Sequence, residues 1–277
     1  MSISKQNIAK SFSKVAANYE ANAFLQKEVA DRLLERLLLM NSHPSVVLDA
    51  GCSTGYCARV LKERFPKAQL FGVDLAQGMI NKANKTQKRF KKIYYQVADM
   101  EKLPFQSNTF DLVLSNLAIP WIENPSNALQ ELNRVLKPKG LVIFSTVGPD
   151  TLIELKQSWE KVDQNIHVNQ FMDMHLIGDM VHKTGFENTV MDRDVITLTY
   201  KTLKGLMREL KLIGANNLNS GRVKGLLGRN KFNQLAQAYE ILRREDGQLP
   251  VTCEVIYGHA WKREEKVKDY HSYDIDL

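Results

Sequence analysis

Apolar positions along the chain recur with two different periods, and the changes of period divide it into elements. Residues 24 to 40, "FLQKEVADRLLERLLLM", place Leu25, Val29, Leu33, Leu34 and Leu37 at helical spacing, which predicts an amphipathic helix ahead of the first strand. "SVVLDAG" follows as a short β-branched run, the pattern of a buried strand. "TGYCARVLKERF" then reads as helix, "QLFGVDLA" as strand and "GMINKANKTQKRF" as helix. "IYYQVADM" and "FDLVLSNLA" read as the third and fourth strands, and "LVIFSTV" as the fifth. Between the last two, "NALQELNRVLKPKG" is a helix expected to stop at Pro138 and Gly140.

Strands alternating with helices at this spacing predict an α/β fold: a mostly parallel, Rossmann-like sheet with helices on both faces. In such sheets ligands lie at the carboxyl ends of the strands, near the point where the strand order reverses. The alternation fails after residue 147. "GPDTLIELKQSWEKV" predicts a helix capped by Asp150 or Thr151, and "FMDMHLIGDMVHKTGF" another, closed by Gly185. "ENTVMDRDVITLTY" and "PVTCEVIYGHAWK" are expected strands that enclose a helical insertion at about 201–246. With no linker of low complexity, the expectation is one domain. It comprises an N-terminal helical segment (1–44), a ligand-binding core (45–147), a C-terminal part with the insertion as a cap (148–262), and a charged tail (263–277).

Composition adds only bounds, but the charge changes the picture. The 277 residues are 44% hydrophobic and 25% charged, ordinary values for a globular protein. No apolar run is long enough to span a bilayer, and "MSISKQNIAKSFSKVAANYE" lacks the apolar stretch of a secretory signal. Three cysteines make no disulfide framework, and no His or Cys stands at metal-ligand spacing, so the expectation is a reduced, cytoplasmic protein without a metal. The formal net charge is +7. Residues 201 to 231 hold eight Lys or Arg against Glu209 alone, so this stretch carries the whole excess. It is either a solvated helix face or a docking surface for an acidic partner.

The turn behind the first strand, "DAGCSTGY", brings Asp49, Gly51 and Gly55 together. Glycines there let a ligand approach the backbone closely. The dinucleotide fingerprint G-x-G-x-x-G would need a third glycine where Tyr56 stands, which argues against a pyrophosphate packed on the helix. The pattern of an acid followed by spaced glycines resembles the first motif of class I S-adenosylmethionine-dependent methyltransferases. That resemblance implies S-adenosylmethionine as the methyl donor. It also implies that Asp74, with Leu75 beside it, receives the ribose hydroxyls, that Asp99 and Met100 hold the adenine, and that Asn116 lies beneath the methionine portion. Any one of these acids alone could be a helix cap or a turn residue. Ser53 stands where the family usually has glycine, at a cost in conformational freedom.

Beyond the donor motif, "IAKSFSKVAANYEANAFLQKEVADRLL", "GANNLNSGR" and "IYGHAWK" resemble the malonyl-acyl carrier protein O-methyltransferases of biotin synthesis. The resemblance covers about residues 7 to 262. It implies methyl transfer to the free carboxylate of a malonyl thioester, with an acidic acyl carrier protein docking on the basic stretch 201–231. It implies neither a nucleic-acid nor a membrane partner. A carboxylate is already ionised near pH 7 and needs no general base. Arg208 and Arg222 are the candidates for holding that carboxylate or the carrier. Tyr19 is a candidate for closing the pocket, the alternative being an aromatic that packs the N-terminal helix on the sheet. Phe171 lines the acyl side or belongs to the core, and Trp121 walls the site or caps the core. For His175 and His259 structural roles are expected. Rival readings are a methyltransferase of quinone or sterol rings, one with a protein arginine as client, and a non-enzymatic binding module. "SNLAIPW" after the fourth strand lacks the motif of a nucleic-acid methyltransferase.

Overall fold

The computed structural model describes residues 4–40, 42–215 and 228–264. Seven strands form one sheet: β1 (Val46–Ala50), β2 (Gln69–Asp74), β3 (Tyr94–Val97), β4 (Phe110–Asn116), β5 (Leu136–Val147), β6 (Phe186–Tyr200) and β7 (Leu249–Lys262). Their order is β3-β2-β1-β4-β5-β7-β6. The first five run parallel, and β7 is antiparallel to both β5 and β6. The order reverses beside β1, so the carboxyl ends of β1 and β4 open a crevice there.

Ten helices surround the sheet among the described residues: α1 (Lys5–Val15), α2 (Tyr19–Asn22), α3 (Phe24–Leu38), α4 (Tyr56–Arg64), α5 (Gln77–Thr86), α6 (Pro125–Val135), α7 (Ile153–Glu160), α8 (Met174–Lys183), α9 (Leu203–Leu212) and α10 (Arg229–Glu240). Successive strand residues point to opposite faces. Val47, Leu112, Leu114 and Ile143 therefore pack against Val29, Leu33 and Leu37 of α3 and Ala58 and Leu61 of α4. Their neighbours Leu48, Val113, Val142 and Phe144 pack against Leu129 and Leu132 of α6 and Ile177 and Val181 of α8. Covering both faces requires the uninterrupted apolar runs of the central strands. A separate cluster joins Leu155 and Trp159 of α7, Leu206 of α9 and Leu235 and Tyr239 of α10 to Val251 and Cys253 of β7, which seats the cap on the sheet. No described helix is long and apolar enough to cross a membrane.

The structure departs from the sequence expectations in three places. Helix α6 ends at Val135, and β5 starts at Leu136, which pairs with Phe110. Pro138 disfavours helical backbone at Lys137, so the helix stops well before the proline itself. Helix α7 is not capped by Asp150 or Thr151; it follows Leu152, whose φ is 60°. Those two residues are engaged by Glu254, a β7 carboxylate only 3% exposed, which accepts from the Asp150 N–H at 2.9 Å while the Thr151 hydroxyl donates to the Glu254 carbonyl at 3.0 Å. A buried carboxylate needs donors, and this one recruits the loop after β5. Finally, α1 and α2 precede the expected N-terminal helix, and α1 packs on α5, where the Ser13 hydroxyl accepts from the Gly78 N–H at 3.1 Å.

Gly258 lies opposite Phe144 in the β5–β7 pairing, and a Cβ at that position would overlap the fully buried Phe144 ring. Gly258→Ala should therefore lower the stability by about 1–3 kcal/mol, the usual penalty of overpacking, read as a shifted urea midpoint at unchanged slope.

Candidate functional site

The turn after β1 is built by backbone geometry. Gly51, Ser53 and Gly55 have φ values of 77°, 52° and 82°. A Cβ on Gly51 would overlap Ala118, and one on Gly55 would overlap the Tyr95 hydroxyl, so both positions require glycine for space as well as for conformation. The Gly51 and Cys52 N–H groups both donate to the Val73 carbonyl at 2.8 Å, which draws the turn against β2. Ser53 holds a left-handed conformation that costs an L-residue about 1–2 kcal/mol. Its N–H donates to Asp74 Oδ2 at 2.9 Å, and its hydroxyl donates to the Met79 sulfur at 3.5 Å. The departure from glycine is thus tied down by two contacts.

Asp49 is 1% exposed and accepts from the Ala58 N–H at 2.9 Å. Gly55 at the N-cap of α4 has no side chain to satisfy the first turn, so the strand's carboxylate caps the helix from below. Burial pushes the Asp49 carboxyl up to about 7. Asp74 is half-buried at the end of β2; its Oδ1 accepts from the Ala76 N–H at 2.8 Å, and burial raises it to about 6.

A cavity of about 1110 Å³ opens over this turn. Of the expected residues, it brings together Asp49, Gly51, Asp74, Leu75, Asp99, Met100, Asn116, Tyr19, Phe171 and Trp121. Gly55 lies beneath the turn and does not line it. Asp99 Oδ2 is occupied by Lys5 of α1 at 2.7 Å, and the same ammonium reaches Glu101 at 3.0 Å. The Asn116 carboxamide donates to the Gln26 carbonyl of α3 at 3.0 Å and accepts from the Ser145 hydroxyl at 2.7 Å, joining α3, β4 and β5. Tyr19 opens α2 over Ser53, and burial pushes its phenol above the ordinary range. Next to it Glu20 pairs with Arg59 of α4 at 2.7 Å, and Arg59 also donates to the Thr54 carbonyl at 2.6 Å, so α2 is fastened to the turn it covers.

The other candidates lie apart. Arg208 is exposed on α9 and does not line the cavity; Arg222 falls outside the described residues. His175 is exposed in the first turn of α8, where its N–H is capped by Asp173 at 2.8 Å. His259 sits edge-to-face with Trp261 at 5.1 Å, and burial lowers its pKa. Among the described residues no group of three or more His, Cys, Asp or Glu is arranged to hold a metal ion.

A set of cavity residues escaped the sequence reading. His167 stacks on Trp159 with ring centroids 3.5 Å apart and an interplanar angle of 9°. Its Nε2 lies 2.8 Å from Asp163 Oδ1, and Lys231 of α10 lies 2.8 Å from Oδ2. The Lys231 ammonium holds the Asp163 carboxyl well below the usual range. The one sequence signal was an Asp and a His four residues apart, in a segment without periodicity. Lys5 was missed too, because its partner is 94 residues away. Of the non-glycine residues with positive φ, Ser53, Leu117 and Leu152 line the cavity, a concentration of backbone strain typical of functional sites.

The chain matches a family model described as a methyltransferase domain over residues 48–144. Its fold is similar to that of the YcgJ protein from Bacillus subtilis, with a TM-score of 0.59 at 17% identity over 84% of this chain and 99% of that one. A putative methyltransferase from Bacillus halodurans gives the same score at 18% identity, over 85% of this chain and 99% of that one. In sequence it is 45% identical to the malonyl-[acyl-carrier protein] O-methyltransferase of Gallionella capsiferriformans, over 94% of this chain and 91% of that protein. It is 44% identical to the enzyme of the same name from Laribacter hongkongensis, over 93% of this chain and 89% of that protein. With that identity covering more than nine-tenths of the chain, on a sheet of class I methyltransferase order, the chain belongs to the malonyl-[acyl-carrier protein] O-methyltransferase family.

Proposed function

We propose that the protein transfers the methyl group of S-adenosylmethionine to the free carboxylate of a malonyl thioester carried on acyl carrier protein, the methyl ester then serving as a primer for pimeloyl and biotin synthesis. The observation that carries this reading is the 45% identity over 94% of the chain to a relative of that name. The residues around the turn fit the donor. Each Asp74 oxygen already accepts one backbone N–H, which leaves lone pairs on both for a pair of vicinal hydroxyls. Asp99 and Met100 border the neighbouring part of the cavity, an acceptor for an exocyclic amine beside an apolar thioether for a ring face. Bound there, S-adenosylmethionine supplies an electrophilic methyl on a positively charged sulfur.

The protein's own task is positioning and exclusion of water. The acceptor is an anion at neutral pH, so no side chain has to remove a proton. Opposite charges are neutralised as the ester forms, and a weakly polar wall favours that change over bulk water. Leu117, Leu152, Leu155 and Phe171 provide such a wall. Tyr19 and α2, held by the Glu20–Arg59 pair, close the donor side. A quinone or sterol ring would instead demand a general base, and the basic stretch 201–231 favours an acidic partner over an apolar one.

Three outcomes are expected. Incubated with S-adenosylmethionine, malonyl-acyl carrier protein should gain one methyl by intact-mass spectrometry while the acetyl form, which has no free carboxylate, gains none. Absence of a gain with donor binding intact by calorimetry would refute the malonyl assignment.

Donor affinity should rise as pH climbs through about 6 and then level off. Burial raises the Asp74 carboxyl in the free protein, whereas hydroxyl donors favour its ionised form, so below that pH binding must first remove a proton. Titrations with S-adenosylhomocysteine should show this slope, and Asp74→Asn should abolish it while weakening binding by about tenfold or more, the scale of hydrogen bonds to a charged group. Without ligand the sign is opposite for stability: the contributions of Asp49 and Asp74 are complete below the unfolded carboxyl value and are lost as pH rises through about 7 and about 6 respectively.

Tyr19→Phe keeps the ring in the cavity wall but removes the hydroxyl, and should raise the donor KM about three- to tenfold, the equivalent of one ordinary hydrogen bond.

A further inference from the structure

We propose that the seam where α1 meets the end of α9 receives the phosphate group of the carrier's prosthetic arm, with Lys10, Lys14 and Lys211 as its ligands. The inference rests on the reading that the substrate is a thioester on an acyl carrier protein. Such an arm ends in the acyl thioester on one side and in a phosphodiester next to an acidic protein on the other. An enzyme that buries the first end therefore meets the phosphate at the mouth of its cavity.

The seam is formed by direct packing. The Ser11 hydroxyl of α1 donates to the Gly214 carbonyl just beyond α9 at 3.4 Å. A Cβ on Gly214 would lie 3.1 Å from Phe12 and 3.3 Å from Val15, so the two segments are in close contact. Lys10 and Lys14 stand one turn apart on α1, and Lys211 lies in the last turn of α9. All three are exposed and all three line the cavity.

Charge pairing separates these lysines from the others around the cavity. Lys5 is matched by Asp99 and Glu101, Lys231 by Asp163, and the Lys27 ammonium donates to the Glu20 carbonyl. Glu20 itself is taken by Arg59. Among the described residues no ion pair involves Lys10, Lys14 or Lys211. Like charges at i and i+4 destabilise a helix, so an unpaired pair on α1 works against the fold unless an anion joins them. Lysine supplies a compact point charge suited to phosphate, and three of them on two elements converge on one cavity. The wall of the same cavity includes Leu155, Trp159, Met207 and Leu210, an apolar surface for the arm. The basic stretch 201–231 alone pointed to α9; the structure adds the N-terminal helix. Because α1 also reaches Asp99 through Lys5, the helix that would grip the phosphate is the one that covers the donor.

The test compares three malonyl thioesters on the wild type and on the variant Lys10→Gln/Lys14→Gln/Lys211→Gln. They are malonyl-acyl carrier protein, malonyl-coenzyme A, and malonyl-N-acetylcysteamine, which has no phosphate. The expected result is a loss of about tenfold in kcat/KM for the carrier and coenzyme A substrates relative to the phosphate-free one, carried by KM. The salt dependence of the carrier KM should flatten in the variant. An equal loss on all three thioesters, or no loss on any, overturns the proposal. A loss confined to the carrier substrate also overturns it, because the lysines would then contact the acidic protein and not the arm. If the wild type methylates none of the three, the malonyl reading itself fails, which is a separate result.

Discussion

Two carboxylates on neighbouring strands hold the turn on which everything else is arranged. A strand that reverses sharply into a helix leaves N–H groups with no partner, and in this protein Asp49 and Asp74 accept them from opposite sides. Asp49 caps α4, Asp74 anchors Ser53 and Ala76, and the Val73 carbonyl between them takes the first two N–H groups of the turn. Desolvation raises both acids, so the ligand-free turn carries an electrostatic penalty. A ligand that donates to Asp74 relieves part of it, which makes the same residue a structural brace and a binding group.

Around that turn the chain lays three separate covers. Helix α2 is fastened by Glu20 to Arg59, which also donates to the Thr54 carbonyl, so its anchor is the turn itself. Helix α1 is fastened by Lys5 to the loop after β3 and by Phe12, edge-to-face on Trp121 at 5.1 Å, to the loop after β4. The cap of α7, α9 and α10 rests on β7 through its own apolar cluster. Glu254 links this cap to the sheet by holding the loop that leads into α7. The site is therefore assembled from segments far apart in sequence, each held by one or two polar contacts of long range.

The electrostatics follow the same division. The donor side is rich in acids, Asp49 buried and Asp74 half-buried, whereas Lys10, Lys14 and Lys211, in no ion pair among the described residues, lie where α1 meets the end of α9. Such a gradient suits a reaction in which a cationic donor sits inside and an anionic acceptor on an acidic partner approaches from outside. Leu117, Leu152, Leu155 and Phe171 line the same cavity with apolar surface.

Much of this was legible in the residues alone. Short apolar runs such as "VVL" and "LVIF" read as strands covered on both faces, and their alternation with amphipathic helices determined the parallel sheet. Asp49, Gly51, Asp74 and Asp99 could be placed because each stands at or just beyond a strand end, and strand ends in such a sheet converge on one edge. Contacts that cross the fold were not legible. Lys5 on Asp99, Asn116 on Gln26 and Glu254 on Asp150 join residues about a hundred positions apart, and no local period marks them. The stacked His167 and Trp159 come from an irregular segment whose conformation is set by what it packs on. Local pattern determines which face of an element is apolar, and hence the sheet and its turn. Only the folded chain decides which polar groups meet over that turn, because their partners arrive from other elements.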